Sequence, residues 1–241
     1  MKKIINDFPD FEKRFVEFEK LYIELKKKRK IKVPPPPTYN KTKDLYHYLA
    51  HYINIIHIKL IHQLHLLLLG IKAENPEIVA MVRSCIETIG ALAYMVEEIS
   101  KESTIPDEAW NILNIATMGE NKKTMSKQTL FKHAPQIFHS ADYVRAVNKT
   151  LDKELQAIGS KNKDYILERY DYFSEFTHPN YVALQLYWQV NSGKLTYKRK
   201  ISCMRQDELA DILFTIVPLI LVYVVVLRKA EKLEQKFKTL S

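Results

Sequence analysis

Residues 212–227 read ILFTIVPLILVYVVVL, a stretch without a charge that is closed by Asp211 and Arg228. A helix that spans a bilayer needs about twenty apolar residues, and Pro218 interrupts this shorter stretch. We therefore predict a buried core helix kinked at Pro218, inside a long C-terminal helix over residues 206–238. A single membrane anchor is the alternative. We expect a cytoplasmic protein without a membrane partner.

The rest of the chain also favours helix over sheet. Only 5 of the 241 residues are glycine, while 46% are hydrophobic, with leucine, isoleucine, lysine and glutamate abundant. Such a composition is typical of a mainly α protein, here a helical bundle. The net charge of +9 indicates either an anionic partner such as nucleic acid or ordinary charge for solubility.

The N-terminal part is predicted to stand apart from the bundle. Aromatic residues recur at helical spacing over residues 8–32, and this stretch includes the basic run 26–30. Four consecutive prolines at 34–37 favour a stiff polyproline spacer. We therefore expect a basic helical arm with its linker over residues 1–37 and a helical bundle domain over residues 38–241.

Inside the bundle, the apolar spacing predicts five further helices, and Gly70 is a candidate cap or break at the end of the first. Those helices cover residues 44–69, 77–99, 107–118, 141–158 and 161–177. The spacing of the apolar residues changes after Pro179. Residues 181–190 and 195–201 are rich in Tyr, Val, Leu and Thr around a Gly-containing turn, which predicts a short β-hairpin near 181–201.

The two cysteines, Cys85 and Cys203, are too few for a disulfide framework. Each lies beside apolar neighbours, so we expect buried free thiols, as in a reducing cytosol. The first residues are MKK, but Asn6, Asp7 and Asp10 soon interrupt any apolar stretch, so this pattern does not predict a signal peptide.

One predicted core helix carries an ion pair. Residues 81–95 read MVRSCIETIGALAYM, which is apolar on nearly all sides apart from Arg83 and Glu87. These two residues are four apart, so they can pair on one face, and we expect them to be buried and to need partners. They are either a structural pair that fixes helix register or part of a polar site in a cleft between helices.

A second cluster lies in residues 170–180, YDYFSEFTHPN. Ser174 and His178 are four apart and share a helix face. A histidine on the last turn of a helix is favoured in its protonated form and can exchange a proton near neutral pH. Asn180 can bond the free carbonyl groups or a ligand. The alternative is a helix stop without a function.

Four histidines, His47, His51, His62 and His65, lie within about 60° of one another around an ideal helix. Pairs at three- and four-residue spacing can bind a metal, but no HExxH pattern or nearby cysteine or carboxylate completes a site. We therefore predict packing and no metal or cofactor.

The pair Arg83 and Glu87, followed about ninety residues later by a helix ending in the pattern Y-x-x-x-S-E-F-x-H-P-N (residues 170–180) and by a short hairpin, resembles the HEPN superfamily and nearby abortive-infection-like proteins over residues 44–230. The resemblance implies a helical bundle, often dimeric, with an Arg/His site between helices. Many such proteins are metal-independent ribonucleases of bacterial defence or toxin–antitoxin systems. Their Arg–His spacing is not matched here, because eight residues separate Arg169 from His178.

That resemblance implies His178 as the proton-transfer residue, Arg83 or Arg169 as the cation that stabilises the phosphate, and Glu87 as the residue that orients the arginine. Ser174 and Asn180 complete the candidate site. RNA, an antitoxin or defence partner protein and a second copy of the chain are the expected partners. The competing hypothesis is a non-catalytic interaction or sensor protein in which Arg, Glu and His form a structural network.

Overall fold

The computed structural model describes residues 9–28, 41–73, 75, 77–102, 107–110, 112–113, 140–159, 163–176, 188–191, 194–197 and 206–240. The longer elements are α1 (Pro9–Lys28), α2 (Lys41–Ala73), α3 (Ile78–Glu102), α4 (Ser140–Ala157), α5 (Tyr165–Glu175), β1 (Trp188–Asn191), β2 (Lys194–Tyr197) and α6 (Gln206–Leu240). The prediction of a mainly α helical bundle is confirmed.

The two strands are short. β1 and β2 pair antiparallel, with Trp188 opposite Tyr197 and Asn191 opposite Lys194. The rest of residues 181–201 lies outside the described part of the chain, so a hairpin over that whole stretch stays a prediction.

Helix α3 is the centre of the bundle, in contact with α2, α4, α5 and α6. Its inward side is apolar and includes the fully buried thiol of Cys85, as predicted, whereas Cys203 lies outside the described residues. Apolar side chains at three- and four-residue steps bury one face of each neighbouring helix against α3, which is what holds a bundle of amphipathic helices together.

The N-terminal helix α1 packs on α2 and α6. Its Phe11, Phe15 and Phe18 are buried in the same hydrophobic core as the rest of the bundle, because their spacing places them on one helix face. Residues 29–40, which include the prolines, lie outside the described residues. The division at residue 37 therefore stays a prediction.

Helix α2 does not end at Gly70 but continues to Ala73. Gly70 is needed for a close approach instead, since a Cβ atom there would overlap Cγ2 of Ile78 in α3. The turn between the helices is fixed by the backbone N–H of Asn75, which donates to the carbonyl of Gly70 (2.9 Å). The side chain of Asn75 then accepts from the N–H of Glu77 (3.0 Å).

Helix α6 runs through Pro218 as one continuous element. Proline has no N–H, so it cannot bond the carbonyl four residues earlier, at Phe214. That carbonyl accepts instead from the hydroxyl of Tyr165 in α5 (3.1 Å). A side chain from a neighbouring helix thus satisfies the acceptor that proline leaves open.

The prediction of a cytoplasmic protein is wrong. Within the described part of the chain, three helices are long and apolar enough, by length and composition, to cross a membrane: Asp44–Ala73, Ile78–Lys101 and Leu209–Thr239. The sequence interpretation counted only the uncharged stretch 212–227 and overlooked α2 and α3. An isolated Lys59 or Arg83 interrupts their runs but leaves the mean hydropathy of an 18-residue window high, at 1.4 and 1.5.

Replacing Gly90 with alanine should lower the free energy of unfolding. Gly90 is buried where α3 meets α4, and a Cβ atom there would lie 2.6 Å from the carbonyl carbon of Tyr143. A backbone group cannot rotate away, so the helices must separate, at a cost of about 1–3 kcal/mol. Chemical denaturation measures the change.

Gly70→Ala is the matched control, because its new methyl group would meet only the side chain of Ile78, which can change rotamer. We expect a smaller loss there. Helix propensity alone predicts that Gly90→Ala stabilises the protein by about 1 kcal/mol. That opposite sign would refute the close-packing explanation.

Candidate functional site

Arg83, Glu87 and Tyr170 form a three-residue cluster where α3 meets α5, here called the Arg83 cluster. The Nε atom of Arg83 donates to Oε1 of Glu87 (3.2 Å) and lies 3.2 Å from the hydroxyl of Tyr170. That hydroxyl donates to the same carboxylate oxygen (2.7 Å). The guanidinium carbon also lies 5.1 Å from the centre of the Tyr170 ring, a cation–π distance.

The side chains of Arg83 and Glu87 are 27% and 34% exposed, so they are not the buried charges expected from the sequence. Helix α3 is not apolar all round. Five of its half-exposed residues form a polar stripe along the helix: Arg83, Glu87, Tyr94, Glu97 and Glu98. The apolar residues around the pair in sequence face the core, and the pair itself reaches the surface between α3 and α5.

Tyr170 belongs to the cluster but was not among the candidate site residues inferred from the sequence. Burial and its hydrogen bond to Glu87 raise the pKa of Tyr170, although hydrogen bonds with Ser140 and Arg83 act in the opposite direction. The neutral hydroxyl is therefore favoured, and it connects three helices. The spacing of Tyr170 in the sequence could have identified it as a candidate, since Tyr170, Ser174 and His178 follow one another at four-residue steps.

The other candidate residues of α5 have separate partners. The hydroxyl of Ser174 donates to the backbone carbonyl of Tyr170 (2.6 Å), on the same side of the helix. Arg169 pairs with Asp211 of α6 (3.1 Å), and its guanidinium carbon lies 5.4 Å from the centre of the Tyr165 ring. Consecutive residues on a helix point about 100° apart, so Arg169 faces α6 while Tyr170 faces α3.

His178 and Asn180 lie outside the described residues. Helix α5 ends at Glu175, three positions before His178 in the sequence. The meeting of the His178 imidazole with the Arg83 guanidinium therefore stays a prediction.

Asn148 of α4 fixes the start of α5. The left-handed residue Asp164 (φ 58°) precedes α5 and makes no side-chain cap of its own. Instead, Oδ1 of Asn148 accepts from the N–H of Ile166 (3.1 Å), one of the donors that a helix start leaves open. Its Nδ2 donates to Asp152 (3.0 Å) and Asp164 (3.1 Å). This buried amide holds α5 in the position that brings Tyr170 to α3.

Two histidines of α2, His57 and His65, contact tyrosines of neighbouring helices. Nδ1 of His65 lies 3.3 Å from the hydroxyl of Tyr22. His57, which does not belong to the predicted stripe, is buried and lies 2.9 Å from the hydroxyl of Tyr223. Within the described ranges, no group of three histidine, cysteine or acidic side chains has the arrangement of a metal site.

The comparisons with known proteins do not assign the chain to a family. No protein-family model matches it, and neither a characterised protein nor a solved structure gives a significant match.

Proposed function

We propose that this chain is a metal-independent ribonuclease of a bacterial defence or toxin–antitoxin system, similar to the HEPN-like proteins that its motifs resemble. The observation that carries the proposal is the Arg83 cluster. A partly exposed guanidinium is oriented by Glu87 on its own helix and by Tyr170 on the helix that leads toward His178. The hydrogen bond from Arg83 to Glu87 supports the orienting role that the proposal gives Glu87.

The proposed reaction transfers phosphate within the RNA chain. The ribose 2′-oxygen forms a bond to phosphorus, and the bond from phosphorus to the 5′-oxygen breaks. His178 takes the proton of the 2′-hydroxyl or donates a proton to the leaving 5′-oxygen, and water exchanges the other proton. Arg83 stabilises the negative charge that grows on the phosphate oxygens in the transition state. Ser174 and Asn180 are the further proposed residues of this site, and RNA is the proposed substrate.

The proposal requires water at the face of α3 that carries Arg83 and Glu87, although α3 is one of the helices long and apolar enough to span a membrane. A buried position in lipid would be costly for these charges. The basic residues 26–28 end α1 and would add phosphate contacts. A second copy of the chain and an antitoxin or other defence protein are the proposed protein partners.

A non-catalytic interaction or sensor protein is the second candidate, and one observation favours it. The three members of the Arg83 cluster bond one another, as expected of a network that fixes helix packing. Hydrogen bonds made among the side chains themselves stabilise a bundle without any substrate.

The deciding experiment incubates the purified full-length chain with total RNA in the presence of EDTA. We expect cleavage by the wild-type chain, because the proposed reaction uses no metal, and loss of cleavage in His178→Ala. Arg145→Gln is the matched control, since Arg145 is a well-exposed arginine of α4 (71%) and should leave cleavage unchanged. Thermal unfolding of each variant shows that it folds.

Absence of cleavage by the wild-type chain, under conditions where it is folded, would reject the ribonuclease and leave the interaction protein. Equal cleavage by wild type and His178→Ala would remove His178 from the proposed active site.

A further inference from the structure

A second polar site lies at the opposite end of α3 from the Arg83 cluster. A cavity of about 350 Å³ opens between the C-terminal half of α3, the middle of α4 and the second half of α6. Its floor is apolar, made by Ala93, Val96 and Val226. The fourteen residues from Arg83 to Glu97 separate the two sites by about 21 Å along the helix.

The cavity is lined by four lysines from three helices, Lys101, Lys149, Lys153 and Lys229, and by one carboxylate, Glu97. Two of the ammonium groups have acidic partners: Lys149 pairs with Glu97, and Lys101 pairs with Glu98 (2.6 Å). Within the described part of the chain, Lys153 and Lys229 make no ion pair. The lining therefore has an excess of positive charge around an apolar floor.

We propose that this lysine cavity binds a phosphate-bearing ligand no larger than a mononucleotide. Like charges gathered from three helices repel one another unless an anion lies between them, and charge-assisted hydrogen bonds from ammonium groups to phosphate oxygens are strong. The apolar floor suits the non-phosphate part of the ligand, as in most small-molecule sites. The volume limits the ligand to this size class. This inference is independent of RNA cleavage.

The phosphate could belong to a free small molecule or to a lipid headgroup, because Lys229 follows the uncharged stretch 212–227 of α6. A basic residue beside an apolar helix segment is also where anionic lipid headgroups bind. Both sources present the same chemistry to Lys153 and Lys229, and the experiment separates them.

Titration calorimetry of the full-length chain with pyrophosphate and with AMP at low ionic strength is the first arm. Flotation with phosphatidylserine and with phosphatidylcholine vesicles is the second. We expect saturable binding in at least one arm, weakened about tenfold or more in Lys153→Gln/Lys229→Gln. The charge-retaining Lys153→Arg should keep it, and so should Lys163→Gln, a control on an exposed lysine outside the cavity. Binding should also fall as salt is added.

Binding of pyrophosphate or AMP that is lost in the double variant identifies a free ligand. Selective binding to phosphatidylserine vesicles that is lost in the same variant identifies a lipid headgroup, and both results support the site. The proposal is overturned if the folded wild-type chain binds none of these probes, or if the double variant binds as tightly as the wild type.

Discussion

Arg83→Gln should reduce RNA cleavage by about 100- to 1,000-fold, the effect typical of removing one group that stabilises transition-state charge. The side chain of glutamine is similar in polarity and can still bond Glu87, but it carries no charge to place beside the phosphate. The loss should therefore appear in kcat, measured on a defined RNA substrate under single-turnover conditions. This prediction depends on the proposed function.

Arg83→Lys separates charge from geometry. Lysine keeps the positive charge but lacks the planar fork of the guanidinium, and it loses the Nε atom that lies 3.2 Å from both Glu87 and the Tyr170 hydroxyl. We expect activity between those of the wild type and Arg83→Gln. Tyr170→Phe should have a smaller effect, because Glu87 still orients the arginine and phenylalanine keeps the ring beneath it.

The result that contradicts this role is an Arg83→Gln variant that cleaves RNA as fast as the wild type while remaining folded. A fall in activity that merely follows a fall in melting temperature would instead assign Arg83 a structural role. Arg145→Gln again serves as the control for loss of an arginine charge, because Arg145 is exposed on the surface of α4, where it pairs with Asp142 (3.3 Å).

Asn148→Asp should lower the free energy of unfolding by about 3 kcal/mol at neutral pH. The new carboxylate can still accept from the N–H of Ile166, but it faces Asp152 and Asp164, to which the wild-type amide donates. Repulsion between carboxylates then replaces two hydrogen bonds, at a residue that is only 4% exposed. The exposure of Asp164 limits the loss, because solvent screens part of the repulsion.

The loss of stability in Asn148→Asp should depend on pH. The new carboxylate lies beside two others and holds its proton more tightly in the folded state than in the unfolded state, so the destabilisation is absent at low pH and grows as the pH rises through its titration. Denaturant unfolding at pH 4 and at pH 7 should therefore show a smaller difference between variant and wild type at pH 4.

Asn148→Ala is the comparison for this experiment. It removes all three hydrogen bonds without adding charge, and we expect a loss of about 1–3 kcal/mol with little dependence on pH. If Asn148→Asp and Asn148→Ala were equally destabilising at both pH values, the proposed repulsion among the carboxylates would be excluded.

Much of the helix architecture followed from local patterns. The spacing of apolar residues predicted the ends of α3 and α4 to within a few residues, because amphipathic spacing depends on residues that are close in the sequence. The small residues Gly90, Ala91 and Ala93 allow a close helix contact, and the structure identifies the backbone of Tyr143 as the group that Gly90 approaches. The pair of Arg83 and Glu87 was likewise predictable, since residues four apart on a helix are neighbours.

Errors arose where the outcome depended on contacts distant in sequence. Gly70 resembled a helix cap, but α2 continues past it and the glycine accommodates Ile78 instead. The cytoplasmic prediction failed because it judged one uncharged stretch by length. Helices α2 and α3 reach a mean hydropathy of 1.4 and 1.5 despite the charges inside them, a property of the whole window and not of an uninterrupted run.

The sequence by itself determined that this chain forms long amphipathic helices and that Arg83 and Glu87 share a face, because both are properties of helical spacing. Only the tertiary structure decided what meets that face: Tyr170 contacts it from a helix 87 positions away, held there by the amide of Asn148. Helix periodicity is a local signal, whereas the neighbour of a helix face depends on how all the apolar faces are buried together.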